Sequence, residues 1–393
     1  MVLLAIGALW WWRRGALGPE VGRSESAAPT GAVAVVPMKG PAAPTNHLVP
    51  AELSNSPPAR VPLTVTNHAG SVPTNVPVTL TPGTNGNIPS VPATGAVASA
   101  SPPEDATVFP RAARDVFEAQ LALARRGYSS GSLDGVLGNQ TRAALRVFQS
   151  LNGLPVTGDL DPLTRSRLIL ETPPLTNYTV SPYDLARLRP LGTNWLSKSL
   201  QDRMDYETIL ELVSEKARAH PTFVRSLNPG IAWDHVTAGT TVRVPSVAPP
   251  PRAKAAFVRI HLSAKTLEVF DAQTNLLAHF PCSIARRVEK RPVGTLRVAV
   301  VATRPTYRFD PANFPESAEA RELNRILILP AGPNNPVGTA WIGLNKPGYG
   351  IHGTPRPEEV GRTESHGCFR LANWDADHLA QLVTIGTPVI VEL

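Results

Sequence analysis

The sequence predicts a multidomain protein: a mainly β C-terminal domain, β-sandwich or barrel-like, preceded by a small three-helix domain and a second small module, all behind a long disordered N-terminal tether. Three observations predict it. A chain of 393 residues exceeds one ordinary domain. The apolar period is close to 3.6 over residues 116–169 and close to 2 from residue 258 onward. Between Arg13 and Val108 there is no Phe, Tyr or Trp with which to nucleate a core.

The tether spans residues 15–108. From Ala27 to Pro103 only Lys39, Glu52 and Arg60 carry formal charge, amid dense Pro, Thr, Ser, Ala, Asn and Val. Its Val-Pro and Thr-Pro pairs favour extended, polyproline-like chain with a reach on the order of 50 Å or more. Ahead of it, Val2 to Trp12 is an apolar run ending in Arg13-Arg14. It has the length of a signal-peptide core and falls short of the roughly 20 residues of a spanning helix. Its charges follow the run instead of preceding it. Residues 1–14 therefore read as a truncated signal peptide or a short membrane anchor, and export is the expectation.

Order begins near Arg111. Val116, Leu121 and Leu123 open a helical pattern that stops at Arg126-Gly127. A second helix is announced by Asn139 as N-cap before Thr141 to Gln149, and a third by Asp161 with Pro162 in its first turn, running through Leu168 and Ile169. Turns fall at Leu133-Asp134-Gly135 and Val156-Thr157-Gly158. Together, over residues 111–171, Leu121 to Tyr128, Leu133 to Gly138, Thr141 to Gln149 and Gly153 to Gly158 resemble the peptidoglycan-binding domain that accompanies many wall enzymes. Residues 178–246, most clearly from 204, are similar to a LysM domain, a βααβ unit that binds N-acetylglucosamine polymers. No opening strand is evident there, and Asp205-Tyr206-Glu207-Thr208 replaces the usual Gly-Asp-Thr start.

After the prolines at 249–251, Val258, Ile260 and Leu262 alternate with polar residues; Leu267, Val269 and Ala272 follow, then Leu296, Val298 and Val300. A helix near Asp375 to Val383 precedes a last strand over Thr387 to Val391. Within this domain lie Gly348-Tyr349-Gly350-Ile351-His352-Gly353-Thr354 and Ser365-His366-Gly367-Cys368-Phe369-Arg370-Leu371. A thiol attacks an amide only as thiolate, so it needs an imidazole or a positive field nearby. Two histidines and an arginine accompany Cys368, and glycines let backbone N–H groups approach a substrate. Cys282, after a strand, reads as a buried small apolar residue.

Over residues 255–393 the pattern resembles the YkuD-type L,D-transpeptidase family, in which a His-Gly segment precedes a Ser-His-Gly-Cys loop. The resemblance implies Cys368 as nucleophile, His352 as general base and acid, and His366 as an orienting residue. It implies an oxyanion hole of the His366, Gly367 and Cys368 N–H groups. Arg370 meets a substrate carboxylate, and Tyr349, Gly353 and Ser365 complete the substrate side. Gly353 replaces the family's usual Ser or Thr, so a backbone carbonyl has to orient His352. The implied reaction forms a thioester from a tetrapeptide stem of peptidoglycan and passes it to an amine; with water as acceptor the enzyme is an L,D-carboxypeptidase.

No cofactor is expected. A zinc site of His352, His366 and Cys368 lacks a fourth ligand at motif spacing, Glu358 and Glu364 reading as solvated charges. The formal charge of +7 suits a polyanionic neighbour. No basic stretch interleaved with aromatics supports nucleic acid. The expected partners are peptidoglycan stem peptides and glycan strands in the periplasm or cell envelope, with membrane attachment through the N-terminus. A non-catalytic wall-binding adaptor is the rival from another class.

Overall fold

The computed structural model describes residues 35–36, 108–249, 252–363, 365 and 367–393. The leader or anchor of residues 1–14 lies outside the described residues, as does the tether except for Val35, Val36 and Val108.

The first folded module contains β2 (Arg111–Ala112), α1 (Val116–Arg125), α2 (Asn139–Leu151), α3 (Pro162–Arg167) and β3 (Ile169–Leu170), β1 being the two-residue Val35–Val36. Asp115 caps α1 by accepting the Glu118 N–H, and Asp161 caps α3 by accepting that of Thr164. Asn139 is not a cap: it is the first helical residue of α2, and extended Gly138 precedes it without a side-chain cap. The third helix also ends earlier than its periodicity suggests, because Ile169 and Leu170 pair with β2 instead. Two buried glutamines fasten the turns to the helices. Gln120 accepts from Asp134 N and Gly135 N at 3.1 and 2.9 Å, and Gln149 accepts from Gly158 N at 2.8 Å.

The second module runs β4 (Leu175–Thr179), α4 (Pro182–Arg187), α5 (Trp195–Ser199), α6 (Ile209–Lys216), α7 (Pro221–Leu227) and β5 (Thr241–Pro245). β4 and β5 pair antiparallel, so a strand does open the module, separated from the Asp-Tyr-Glu-Thr stretch by an inserted α4 and α5. Its composition hides it: Leu-Thr-Asn-Tyr-Thr has no buried alternation to reveal a strand. The two small modules share one core, in which Phe117, Leu121 and Leu145 join Leu212, Val224 and Val242. Each alone is too small to remove much apolar surface from water.

The C-terminal domain contains β6 (Phe257–His261), β7 (Thr266–Phe270), β8 (Leu276–Pro281), β9 (Gly294–Thr303), β10 (Thr306–Phe309), α8 (Ala318–Leu323), β11 (Leu327–Leu329), β12 (Ala340–Leu344), β13 (Gly350–His352), β14 (Phe369–Arg370), α9 (Asn373–Leu382) and β15 (Pro388–Glu392). Eight strands form one mixed sheet in the order β14-β13-β12-β9-β15-β6-β7-β8. The sheet curls until its ends meet. Just beyond β8, Ser283 N donates to Arg370 O at 2.9 Å and Arg370 N to Ser283 O at 3.0 Å, joining the chain after β8 to β14. A barrel-like form is thus the half of the expectation that the sheet realises. Ala272 lies in the turn after β7, not in the strand. β10 and β11 pair outside this sheet, and β1 adds to β10 in parallel.

Both small modules dock on this domain through backbone hydrogen bonds. His279 of β8 exchanges bonds with Gly127 O and Ser129 N at 3.0 and 2.8 Å. From the second module, Met204 N donates to Ala331 O at 3.0 Å, and Asn334 N donates back to Met204 O at 3.0 Å.

Candidate active site

Strand registry decides which side chains meet. β13 lies between β14, with which it is parallel, and β12, with which it is antiparallel; His352 is opposite Arg370 on one side and Trp341 on the other. Ile351 is likewise opposite Phe369 and Ile342, and these three lie in the main domain core. Alternation then sends Trp341, His352 and Arg370 to the other face, and Cys368, two residues before Arg370, follows them. Cys368 and Trp341 join a separate apolar cluster there with Met204, Tyr307 and Val337. The thiol and the imidazole therefore share one face of two neighbouring strands spaced about 5 Å apart.

Trp341 fills the floor of this face. Its ring stacks on His352 at 5.6 Å between centroids and 26° between planes. A Cβ at Gly350 would come within 2.5 Å of the indole Cη2, so glycine there is required by the close approach of the ring.

His352 Nδ1 donates to the Gly353 carbonyl at 2.6 Å. That bond fixes the proton on Nδ1 and leaves Nε2 as the basic nitrogen. Burial holds the imidazole pKa down to about 4, with the Arg370 charge adding to the effect against the Gly353 bond. Burial pushes the Cys368 thiol up to about 11, opposed by a Gly350 backbone hydrogen bond and by Arg370. Sγ also lies 3.6 Å from Gly348 O. Burial, at 6% and 5% exposure, thus favours the neutral form of both groups, the starting point for a thiol whose proton a general base removes.

The remaining site residues separate into two groups. Arg370 and half-buried Tyr349 lie near enough to Cys368 for a thiolate there to raise the pKa of each, and Lys346 Nζ lies 4.8 Å from the Tyr349 ring centroid. Ser365 and Gly353 instead serve the protein's own backbone. Ser365 Oγ donates to Cys368 O at 2.5 Å and accepts the Gly367 N–H at 3.3 Å, which shapes the loop that presents the thiol. At Gly353 a Cβ would meet Asn373 Oδ1 at 2.2 Å, which explains why the usual Ser or Thr is absent here. His366, and the part of an oxyanion hole built on its N–H, lie outside the described residues, as does Glu364.

Sequence reasoning missed Trp341, Tyr307, Met204 and Asn373. Tyr307 belongs to a strand far from either motif and Met204 comes from another module, while Trp341, on the strand just before the first motif, meets His352 only through strand registry. Asn373 carried a signal: it opens a helix two residues after Leu371, at the end of the cysteine segment.

Comparison with known proteins finds relatives for two parts of the chain. Residues 255–391 match the family described as "L,D-transpeptidase catalytic domain", and residues 113–168 match "Putative peptidoglycan binding domain". The C-terminal part of the chain is a YkuD-type L,D-transpeptidase catalytic domain. "Putative L,D-transpeptidase YkuD" of Bacillus licheniformis is 25% identical over 182 residues, covering 46% of this chain and 92% of that protein. "Putative L,D-transpeptidase YqjB" of Bacillus subtilis is 36% identical over 105 residues, covering 25% of this chain and 51% of its own length. Among solved structures, the L,D-transpeptidase of Xylanimonas cellulosilytica is 14% identical with a TM-score of 0.31, over 72% of this chain and 95% of that one. Cys368 and His352 thus lie within the matched L,D-transpeptidase domain. Among the described residues, no helix is long and apolar enough to cross a membrane.

Proposed function

We propose that this protein is a peptidoglycan L,D-transpeptidase in which Cys368 is the nucleophile and His352 moves the protons. The single observation that carries the assignment is the His352 Nδ1 bond to Gly353 O, on the same sheet face as Cys368. It leaves Nε2 as a proton acceptor on the sheet face that carries the thiol, the arrangement nucleophilic acyl transfer needs. Because thiol and imidazole are both neutral at rest, the thiol proton passes to Nε2 as sulfur attacks the carbonyl. The imidazolium then protonates the departing amine of the terminal D-Ala, leaving a thioester on Cys368. An amine attacks that thioester with His352 again accepting a proton, and Cys368 is released as thiol. Arg370 supplies a positive charge for a substrate carboxylate, and Tyr349 lines the acceptor side.

The donor is read as a tetrapeptide stem. An acceptor amine on another stem gives a 3→3 cross-link, and one on a protein gives covalent anchoring. The peptidoglycan-binding domain supports the wall as substrate, since a module that holds the enzyme on an insoluble polymer raises its effective concentration there. The LysM-like reading of the second module, binding glycan strands, extends the same logic, as does export to the envelope on an N-terminal tether.

Intact mass and product analysis test the assignment, with wild type and Cys368→Ala incubated with a disaccharide-tetrapeptide. The expected result is a thioester adduct and D-Ala release in wild type alone, with a cross-linked dimer among the products. Tripeptide without dimer assigns water as acceptor and an L,D-carboxypeptidase. Wall binding with neither adduct nor product replaces the enzyme by an adaptor.

A further inference from the structure

We infer that Glu215, on α6 of the second module, is a positioning residue for the catalytic base: it anchors Asn373, which packs against the Gly353 peptide that holds the His352 tautomer. The inference rests on the role of His352 proposed above. It makes the second module part of the active-site framework as well as a wall-binding unit.

The chain of contacts starts at the histidine. The carbonyl that takes the His352 Nδ1 proton belongs to Gly353, whose own N–H donates to Ala340 O at 3.2 Å. Behind Gly353 stands the Asn373 side chain, close enough to Cα to occupy the space of a missing Cβ. Gly338 is under the same constraint, a Cβ there meeting Asn373 Oδ1 at 2.0 Å. The amide is therefore a wedge between two peptide segments, and its orientation sets the position of the Gly353 peptide.

That orientation is fixed by four hydrogen bonds. Asn373 Oδ1 accepts from Thr339 N at 3.2 Å. Its Nδ2 donates to Pro333 O at 3.1 Å and to both Glu215 carboxylate oxygens at 3.1 Å each. Glu215 is the only one of these partners that comes from outside the C-terminal domain. It is itself held by Tyr206 Oη, which donates to Oε1 at 3.1 Å. With Glu215 removed, Asn373, 1% exposed, keeps Pro333 O for one amide hydrogen and has no acceptor for the other. A buried amide in that state rotates or admits water, and the Gly353 peptide loses its backing.

A weakened Gly353 acceptor lets the Nδ1 proton move to Nε2, the tautomer that cannot accept the thiol proton. That loss falls on the chemical step and leaves binding of the stem peptide in place.

The full-length protein tests this. Glu215→Ala is expected to lower kcat about tenfold with KM unchanged, the effect of one unsatisfied buried donor. It should also shift or broaden the His352 Nδ1 proton resonance and slow alkylation of Cys368 by iodoacetamide. Glu215→Gln, which keeps an acceptor, should recover most of the loss. Asn373→Ala should be worse, and adding Glu215→Ala to it should change little more, because the two act in series.

Asn334→Ala is the control for mere loosening of the module contact. Asn334 Nδ2 joins Glu211 Oε1 at 2.6 Å and Asp205 O at 3.1 Å across the same seam without touching Asn373. A drop in kcat for Asn334→Ala equal to that for Glu215→Ala overturns the inference, as does wild-type kcat and an unmoved Nδ1 resonance in Glu215→Ala. Should Glu215→Ala not fold, Glu215→Gln and Asn334→Ala decide the matter by the same two readouts. If wild type itself neither turns over nor acylates, the proposed function fails, while the resonance and alkylation readouts still report on the relay.

Discussion

The two cysteines of this chain occupy nearly equivalent places and have different chemistry. Cys282 follows β8 and Cys368 precedes β14, the two regions joined by the Ser283–Arg370 bridge that closes the sheet. Both thiols are unbridged and buried. Cys282 lies in the main core, with its Sγ 3.4 Å from Ser283 O, and burial alone raises its pKa far above the ordinary range. Cys368 lies on the opposite face with His352, Trp341 and Arg370, and two of its three influences oppose burial. Burial is common to both and distinguishes neither. The face of the sheet, and with it the presence of a proton acceptor, separates Cys282 from the proposed nucleophile Cys368.

The sharpest way to break that comparison is to delete each thiol. Cys368→Ala is expected to remove acyl transfer, by roughly 10⁴-fold or more in kcat, whereas Cys282→Ala keeps turnover once folded. D-Ala release measures both, and activity surviving in Cys368→Ala would end the assignment. Next in size is the base. His352→Gln preserves bulk on Trp341 but removes the proton acceptor, and a fall of about 10²–10⁴ in kcat is expected. A change of less than threefold would assign proton transfer to another group.

A smaller effect concerns pH. His352 is held at about 4, so kcat/KM should persist well below pH 6.5 and fall with a midpoint near 4. The same shift has a sign for stability. The folded state binds the proton more weakly than the unfolded state, so the associated stability is complete above about pH 6.5 and is lost as pH falls toward 4. His352→Gln should flatten that part of the melting-temperature profile. A midpoint near 6.5 in both rate and melting would show an exposed, ordinary imidazole.

The smallest effect on activity belongs to Cys282→Ser. A hydroxyl in the main core is expected to cost about 1–3 kcal/mol of stability with kcat nearly unchanged. Denaturant unfolding measures the cost, and a large loss of kcat without loss of stability would give Cys282 a functional role.

Much of this was legible in the sequence for identifiable reasons. The β-strands that alternate, such as Val258-Arg259-Ile260, declare themselves because one face is buried and the other is not. β4 does not, because few of its residues bury a side chain. The active-site motifs were visible because Cys368 and His352 bring unusual residue types into Gly-rich segments. Their partners were hidden: Trp341 reaches His352 through registry, and Glu215 reaches Asn373 across 158 positions of sequence.

The sequence by itself determined the order of the two matched domains and the two motif segments from which the reacting pair is proposed, since these depend on residue type and local spacing. Only the tertiary structure decided that Gly353 supplies the acceptor for Nδ1, that Asn373 takes the space of its missing side chain, and that the two small modules share a core. Those outcomes depend on strand register, sheet curvature and the docking of separate elements. A one-residue slip in register would send His352 into the main core and Ile351 to the thiol face, with no change in the sequence of either motif.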